Sequence, residues 1–275
     1  MHFEESHGKY ENIMSLTPVI TSLPSLVLFF LVVVIGMLAS LAGTWISGKR
    51  TLKGVKETET VIDSSVAAIL GLLAFMLGFT FSLSASRFEN RRELVVKQAN
   101  AIETSYLRTS LIPDRQKSSI RNLYKQYIEI LLQFNHKTDF QNQIKKLDGI
   151  QMEIWGQTTT LIPEHMDSEL RSLFTSSVND VIQIQNERLT VGLFFKIPRI
   201  LWISLMLIFL LSMFAMGYLT DNYNIFRNLN LLMVAVSFAM VIVLIADMDS
   251  TNQHSILVSQ QPLVDLKEVL IRNIP

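Results

Sequence analysis

The residues best suited to chemistry lie between Ser65 and Arg108. Gly71, Gly78 and Ser82, with Ala68 and Ala85, recur at helical spacing and make one narrow small-residue face, and Phe75 and Phe79 stand one turn apart beside it. Such a face has two uses. Aromatic rings beside a small-residue stripe can line a pore and gate it by dewetting, with Ser82 and Thr80 at its mouth. Small residues also let membrane helices approach closely, which is their commoner role. Arg87, Arg91 and Arg92 follow at once. Repeated around an oligomer they would concentrate small anions before a neck; they equally suit lipid headgroups and the positive-inside signal. Farther on, Asn100, Glu103 and Arg108 are candidates for polar groups that fix a helical bundle, with Glu103 paired to Arg92 or Arg108. Asp247 and Asp249, with His254 near, offer oxygen and imidazole ligands to a divalent cation. Their spacing fits no known loop, and solvation at a helix end is the simpler account, so no metal centre is assigned.

Other chemistry is excluded by type. The sequence has no cysteine, which removes thiol nucleophiles, disulfides and cysteine-ligated metals. It has no Walker loop, GxSxG, HExxH or dinucleotide fingerprint, and its five histidines are scattered without ligand spacing. These absences point away from an enzyme and from any cofactor. Lysine plus arginine balance aspartate plus glutamate at 24 each, so bulk charge gives no argument for nucleic acid.

The elements that must position these residues are membrane helices. Of 275 residues, 49% are apolar and 17% charged, against about 25% charged in soluble proteins, and the mean hydropathy is +0.33. Charged side chains are missing from 12–48, 64–86, 200–220 and 228–246. A helix needs roughly 20 apolar residues to cross the hydrocarbon core, and its backbone must be satisfied internally. Spans are therefore expected near 25–46, 65–86, 200–219 and 228–246. The first is read as a retained span, because its apolar run exceeds the roughly 7–15 residues of a signal-peptide core. With four spans, both termini and the segment between spans two and three share a side. Arg87, Arg91, Arg92, Lys97, Arg188, Lys196 and Arg199, with Lys9, Lys267 and Arg272, outnumber Lys49, Arg50, Lys53, Lys56 and Arg227 on the other side. That side is expected to be the cytoplasm. Trp45, Trp202, Tyr218 and Tyr223 lie near span ends, where interfacial anchors belong.

Residues 87–198 have the 3.6-residue periodicity of helices and none of the alternation of strands. Ile120, Leu123, Tyr124, Tyr127, Leu131 and Phe134 share a face, as do Leu147, Ile150 and Ile154. Leu170, Phe174, Val178, Val181 and Gln185 form a third stripe, the last a polar fault. Pro113-Asp114 and Pro163-Glu164 punctuate the segment, so helices are expected near 87–111, 114–136, 139–161 and 165–190. No breaker separates Ser86 from Arg87, so span two should continue to Leu111 as one helix of about 70 Å at 1.5 Å per residue. Val95, Ala99, Ile102 and Tyr106 form its cytosolic stripe. The expected architecture is an all-α membrane protein. Residues 1–86 carry the first hairpin, 87–198 a cytosolic helical bundle inserted between spans two and three, 199–247 the second hairpin, and 248–275 a cytosolic tail.

The stretch from Gly71 to Ser82, then Ser86-Arg87-Phe88, Arg91-Arg92 and Asn100 to Arg108, resembles a widespread bacterial membrane family labelled bestrophin-like. Asp249, Ile256 and Val258-Ser259-Gln260-Gln261-Pro262-Leu263 extend the likeness, with Thr251 and His254 where proline and glycine are usual. Bestrophins are pentameric chloride channels with four membrane helices and a helical cytosolic domain between the second and third. The resemblance implies a homo-oligomer in the bacterial inner membrane, both termini cytoplasmic, passing small anions along span two. A bestrophin's apolar neck and calcium clasp have no motif-level match here. No charged residue lies inside a span, which argues against ion-coupled transport. The alternative function is a non-conducting scaffold or sensor that relays a signal, or docks a partner, through the cytosolic bundle.

Overall fold

A computed structural model describes residues 23–51, 59–133, 140–162, 166–219, 225–250 and 258–272. Phe134, Tyr223, Thr251, Ile256, all five histidines and the Pro163-Glu164 pair lie outside them. The described residues form α1 Ser25–Thr51, α2 Glu59–Arg108, a 3-10 turn Thr109–Leu111, α3 Asp114–Leu132, α4 Phe140–Thr159, α5 Ser168–Phe194, α6 Arg199–Tyr218, α7 Ile225–Asp249 and α8 Gln261–Arg272. No strand occurs among them.

Two compact units divide the chain: Met1–Phe88 with Lys196–Leu257, and Glu89–Phe195 with Val258–Pro275. Among the described residues, four helices are long and apolar enough to cross a bilayer: Ser25–Lys49, Ser64–Leu111, Arg199–Tyr218 and Leu229–Asp249. The helix starts have local causes. Pro24 precedes α1 and its carbonyl accepts from Leu28 N. Pro113 and Pro198 occupy the N-cap positions of α3 and α6 with φ −57° and −54°, the value that the pyrrolidine ring imposes. The fourth helix of the polar segment starts later than expected, at Ser168, because Asp167 caps it: its carboxylate accepts from the amides of Glu169 (2.7 Å) and Leu170 (3.4 Å).

In the first unit α1 packs on α6 and α7. Trp202, Leu205 and Phe209 of α6, Ala235, Ala239 and Ile242 of α7, Leu28 and Val32 of α1, and Leu73 and Leu77 of α2 form its core. Phe209 meets Phe238 edge to face, centroids 6.2 Å apart. Backbones cross most closely where α1 meets α6: a methyl on Gly217 would overlap the Ser40 carbonyl, and one on Gly43 the Phe214 carbonyl. Glycine is required at both positions by this approach, the usual function of small residues between membrane helices. Several hydroxyls inside the spans return to their own helix. Ser40 donates to Met37 O, Thr44 to Leu41 O, Thr80 to Met76 O and Ser212 to Ile208 O, so no water is needed for them in lipid.

The second unit's core gathers Val95, Ala99, Ile102 and Tyr106 of α2 with Ile120, Leu123, Tyr124 and Tyr127 of α3. Leu147 and Ile154 of α4 and Phe174, Val178 and Val181 of α5 complete it. The expected stripes are therefore the packed faces, except that Leu170 is exposed. Of the segment expected as a tail, the described residues 248–250 belong to the first unit and 258–272 to the second. There α8 lays Leu263, Leu266 and Leu270 into the core against α3, and Lys267 pairs with Glu129 at 3.4 Å. Ser259 accepts from Gln261 N and Pro262 occupies the first turn, where its missing N–H costs nothing.

Candidate functional site

Span two presents two opposite faces in α2. Val66, Leu73, Leu77, Thr80 and Ser84 are buried, and Ser84 donates to Ile245 O of α7 at 3.0 Å. Gly71, Phe75, Gly78, Phe79 and Ser82 are exposed. Phe75 is 68% and Phe79 49% accessible. A Cβ added at Gly71 or Gly78 would meet nothing within 4 Å. Close packing, the commoner use of such glycines, is thus absent here among the described residues, whereas Gly43 and Gly217 are tightly enclosed. Thr80, expected beside Ser82, lies instead on the packed face.

The arginines divide. Arg87 is half-buried, and its Nη1 is enclosed with no hydrogen-bond partner among the described residues. Arg91 is buried, contrary to an exposed ring shared with Arg87. Arg92 is exposed and pairs with Glu89 at 3.5 Å. The expected ion pair of Glu103 with Arg92 or Arg108 is not formed among the described residues. Arg108 instead donates to the Leu173 carbonyl of α5 at 2.9 Å, and Asn100 is exposed. Asn100 falls on the outer face of α2, two positions from the buried Gln98.

Gln98 is the polar group that sequence reasoning missed. Its amide nitrogen donates to Gln185 Oε1 and, at 3.4 Å, to Tyr127 Oη, which also accepts from Gln151 Nε2 at 2.9 Å. Its oxygen accepts from Arg188 Nη1, and Arg188 Nη2 donates to Gln260 Oε1 at 2.7 Å. Gln185, the fault in the α5 stripe, is what completes this network. Beside it Ser105 and Tyr124 share a 2.6 Å hydrogen bond, and Ser177 donates to Ser105 Oγ at 3.2 Å. Burial pushes both Tyr124 and Tyr127 well above the ordinary phenol range and lowers the Arg188 guanidinium to about 10.

Asp247 and Asp249 are not solvated at a helix end. Both are buried. Asp247 accepts from Ser25 Oγ at 2.7 Å, and Asp249 from the Ile197 amide at 2.9 Å. They tie the end of α7 to the starts of α1 and α6, which explains acidic residues at a C-terminus that the helix dipole disfavours. No group of three or more metal-ligating side chains occurs among the described residues.

Four apolar helices around an apolar core, with hydroxyls inside the spans returned to backbone carbonyls, define a multi-pass helical membrane protein. Residues 27–263 match the family model of the Bestrophin-like domain, and the chain belongs to that family. No curated protein matches it. Among solved structures, a point variant of a bacterial bestrophin homologue from Klebsiella pneumoniae superposes with a TM-score of 0.69 at 14% identity, covering 89% of this chain and 97% of that one. The homologue phased on zinc gives 0.66 at 14% identity, over 89% and 96%. A third structure, described as a membrane protein, gives 0.65 at 14% identity, over 90% and 96%. At this identity the likeness is one of fold.

Proposed function

We propose that this protein is a homo-oligomeric channel for small anions in the bacterial inner membrane, with both termini and the second unit in the cytoplasm. The pathway runs along the Gly71, Phe75, Gly78, Phe79 and Ser82 face of α2. The observation that carries this reading is the contrast between the two sides of one helix: one side packed, the other with glycines whose added Cβ would meet no described residue within 4 Å and with two exposed phenylalanines. Several copies turned inward would close that face around a narrow apolar neck. The enclosed, unpartnered Arg87 nitrogen near its end suits an anion or a lipid phosphate. Uncharged spans suit passive conduction and not coupled transport.

Chloride efflux from proteoliposomes of purified, folded oligomer tests the proposal. Efflux above that of empty vesicles, raised or altered in selectivity by joint Phe75→Ala and Phe79→Ala, is the expected result. Efflux equal to that of empty vesicles defeats it and leaves the scaffold or sensor reading.

A further inference from the structure

The polar network of the second unit contains a cation with no counter-charge among the described residues. Arg188 is half-buried in α5 and held from two sides by amide oxygens, those of Gln98 and Gln260. The rest of the network is Gln185, Tyr127 and Gln151, all neutral. Among the described residues Arg188 has no ion pair, although Arg92, Lys97, Lys117, Lys267 and Arg272 each have one at exposed or half-exposed positions. A guanidinium has five N–H donors in a planar fork, and the two glutamine oxygens engage only two of them. Gln98 and Gln260 also fix the plane of the fork, so the remaining donors are oriented before anything binds. Burying such a charge without an anion is unfavourable, and the lowered proton affinity of Arg188 is the same cost expressed as a pKa.

We infer that Arg188, oriented by Gln98 and Gln260, is a binding site in the second unit for one small monovalent anion, a halide or a carboxylate. Within this hydrogen-bonded network, among the described residues, a single guanidinium supplies the positive charge, which suits one negative charge and not a polyphosphate. A planar fork accepts a carboxylate in bidentate fashion, or a halide in its cleft. All three side chains belong to one unit, and the inference does not rest on conduction. An anion here would join the segment preceding α8, through Gln260, to α5 and α2, making the attachment of the C-terminal helix sensitive to anion concentration.

Two measurements on the full-length protein in nanodiscs or crystals test it. Bromide is the first probe: anomalous diffraction from crystals grown in sodium bromide should place a peak within hydrogen-bonding distance of the Arg188 guanidinium. The second is broadening of the chloride-35 resonance, with added bromide or formate as competitor. Arg188→Gln should weaken the affinity read by this line about tenfold or more, as loss of a charged hydrogen bond does. Arg188→Lys, which keeps the charge and loses the fork, should fall between. Displacement of chloride by formate assigns the site to carboxylates as well as halides, and displacement by bromide alone to halides. No bromide peak at the guanidinium, together with equal broadening by the parent protein and a folded Arg188→Gln, overturns the inference. Should Arg188→Gln not fold, the bromide map of the unmodified protein decides alone. Failed chloride efflux beside a bromide peak would reject the channel and leave this site standing.

Discussion

Glycine has two meanings in this chain, and its neighbours decide which. Gly43 and Gly217 lie where backbones cross, so Gly217→Ala must push α6 away from the Ser40 carbonyl. Overpacking of this kind costs about 1–3 kcal/mol, and more where the obstacle is backbone. Thermal unfolding in detergent should show Gly217→Ala clearly destabilised and Gly78→Ala unchanged in the same assay, because a methyl on Gly78 enters open space. Equal losses at the two sites would mean that Gly78 is already packed in the isolated chain. The small-residue pattern around Gly71 and Gly78 was legible in the sequence, but not this distinction, since both pairs of glycines sit in apolar helical runs. Asp249 teaches the same lesson. Its place after an apolar run suggested water; its carboxylate turned out to hold the Ile197 amide, a contact 52 positions away in the chain.

At the scale of elements, α8 is the clearest departure. Residues 248–275 were expected only as a cytosolic tail, and the amphipathic helix α8 occupies 261–272 of it. Leu266→Ala should destabilise the second unit by about 2–5 kcal/mol, whereas Val269→Ala, on the exposed side of α8, should stay within about 0.5 kcal/mol. Denaturant unfolding of the two variants checks this, and equal effects would detach α8 from the core. The tyrosines add a pH signature. Tyr124 and Tyr127 have folded pKa values raised above the ordinary 10.0, so their stabilising contribution is complete below pH 10 and is lost as pH rises above it. Arg188 acts oppositely. Burial lowers its value to about 10, so above that pH the unfolded chain still binds the proton that the folded one has lost, and stability from this group rises with pH. Two phenols outweigh one guanidinium, and alkaline unfolding should begin above pH 10. The phenolate absorbance of Tyr124 and Tyr127 should appear only as helicity is lost. Ionisation of both while helicity persists would contradict their burial. In Tyr127→Phe the delayed fraction should fall to one.

For the whole molecule, the question is what the bare face of α2 meets. The sequence has no cysteine, so introduced thiols report without background. In proteoliposomes, Phe75→Cys, Gly78→Cys and Ser82→Cys should react with a charged, water-soluble thiol reagent and lose chloride efflux on reaction. Leu73→Cys, on the packed side, should not react. Absence of labelling at all three exposed positions would assign that face to lipid or to a dry contact between copies, and the pathway would have to be sought elsewhere.

From its sequence alone this protein was determined to be a helical membrane protein, because charge-free runs and the 3.6-residue period are local properties that act before any partner is chosen. The stripes through Tyr124, Leu147 and Phe174 were readable for the same reason: amphipathic periodicity states which side is buried. Which group satisfies which was decided only by tertiary structure. Gln98 meeting Gln185 and Arg188, Asp247 meeting Ser25, and the open space at Gly78 depend on residues far apart in the chain, and a polar side chain carries no local mark of its partner. The pairings expected for Glu103 failed on this ground: nearness along one helix says little about which helix supplies the better acceptor once the core has closed.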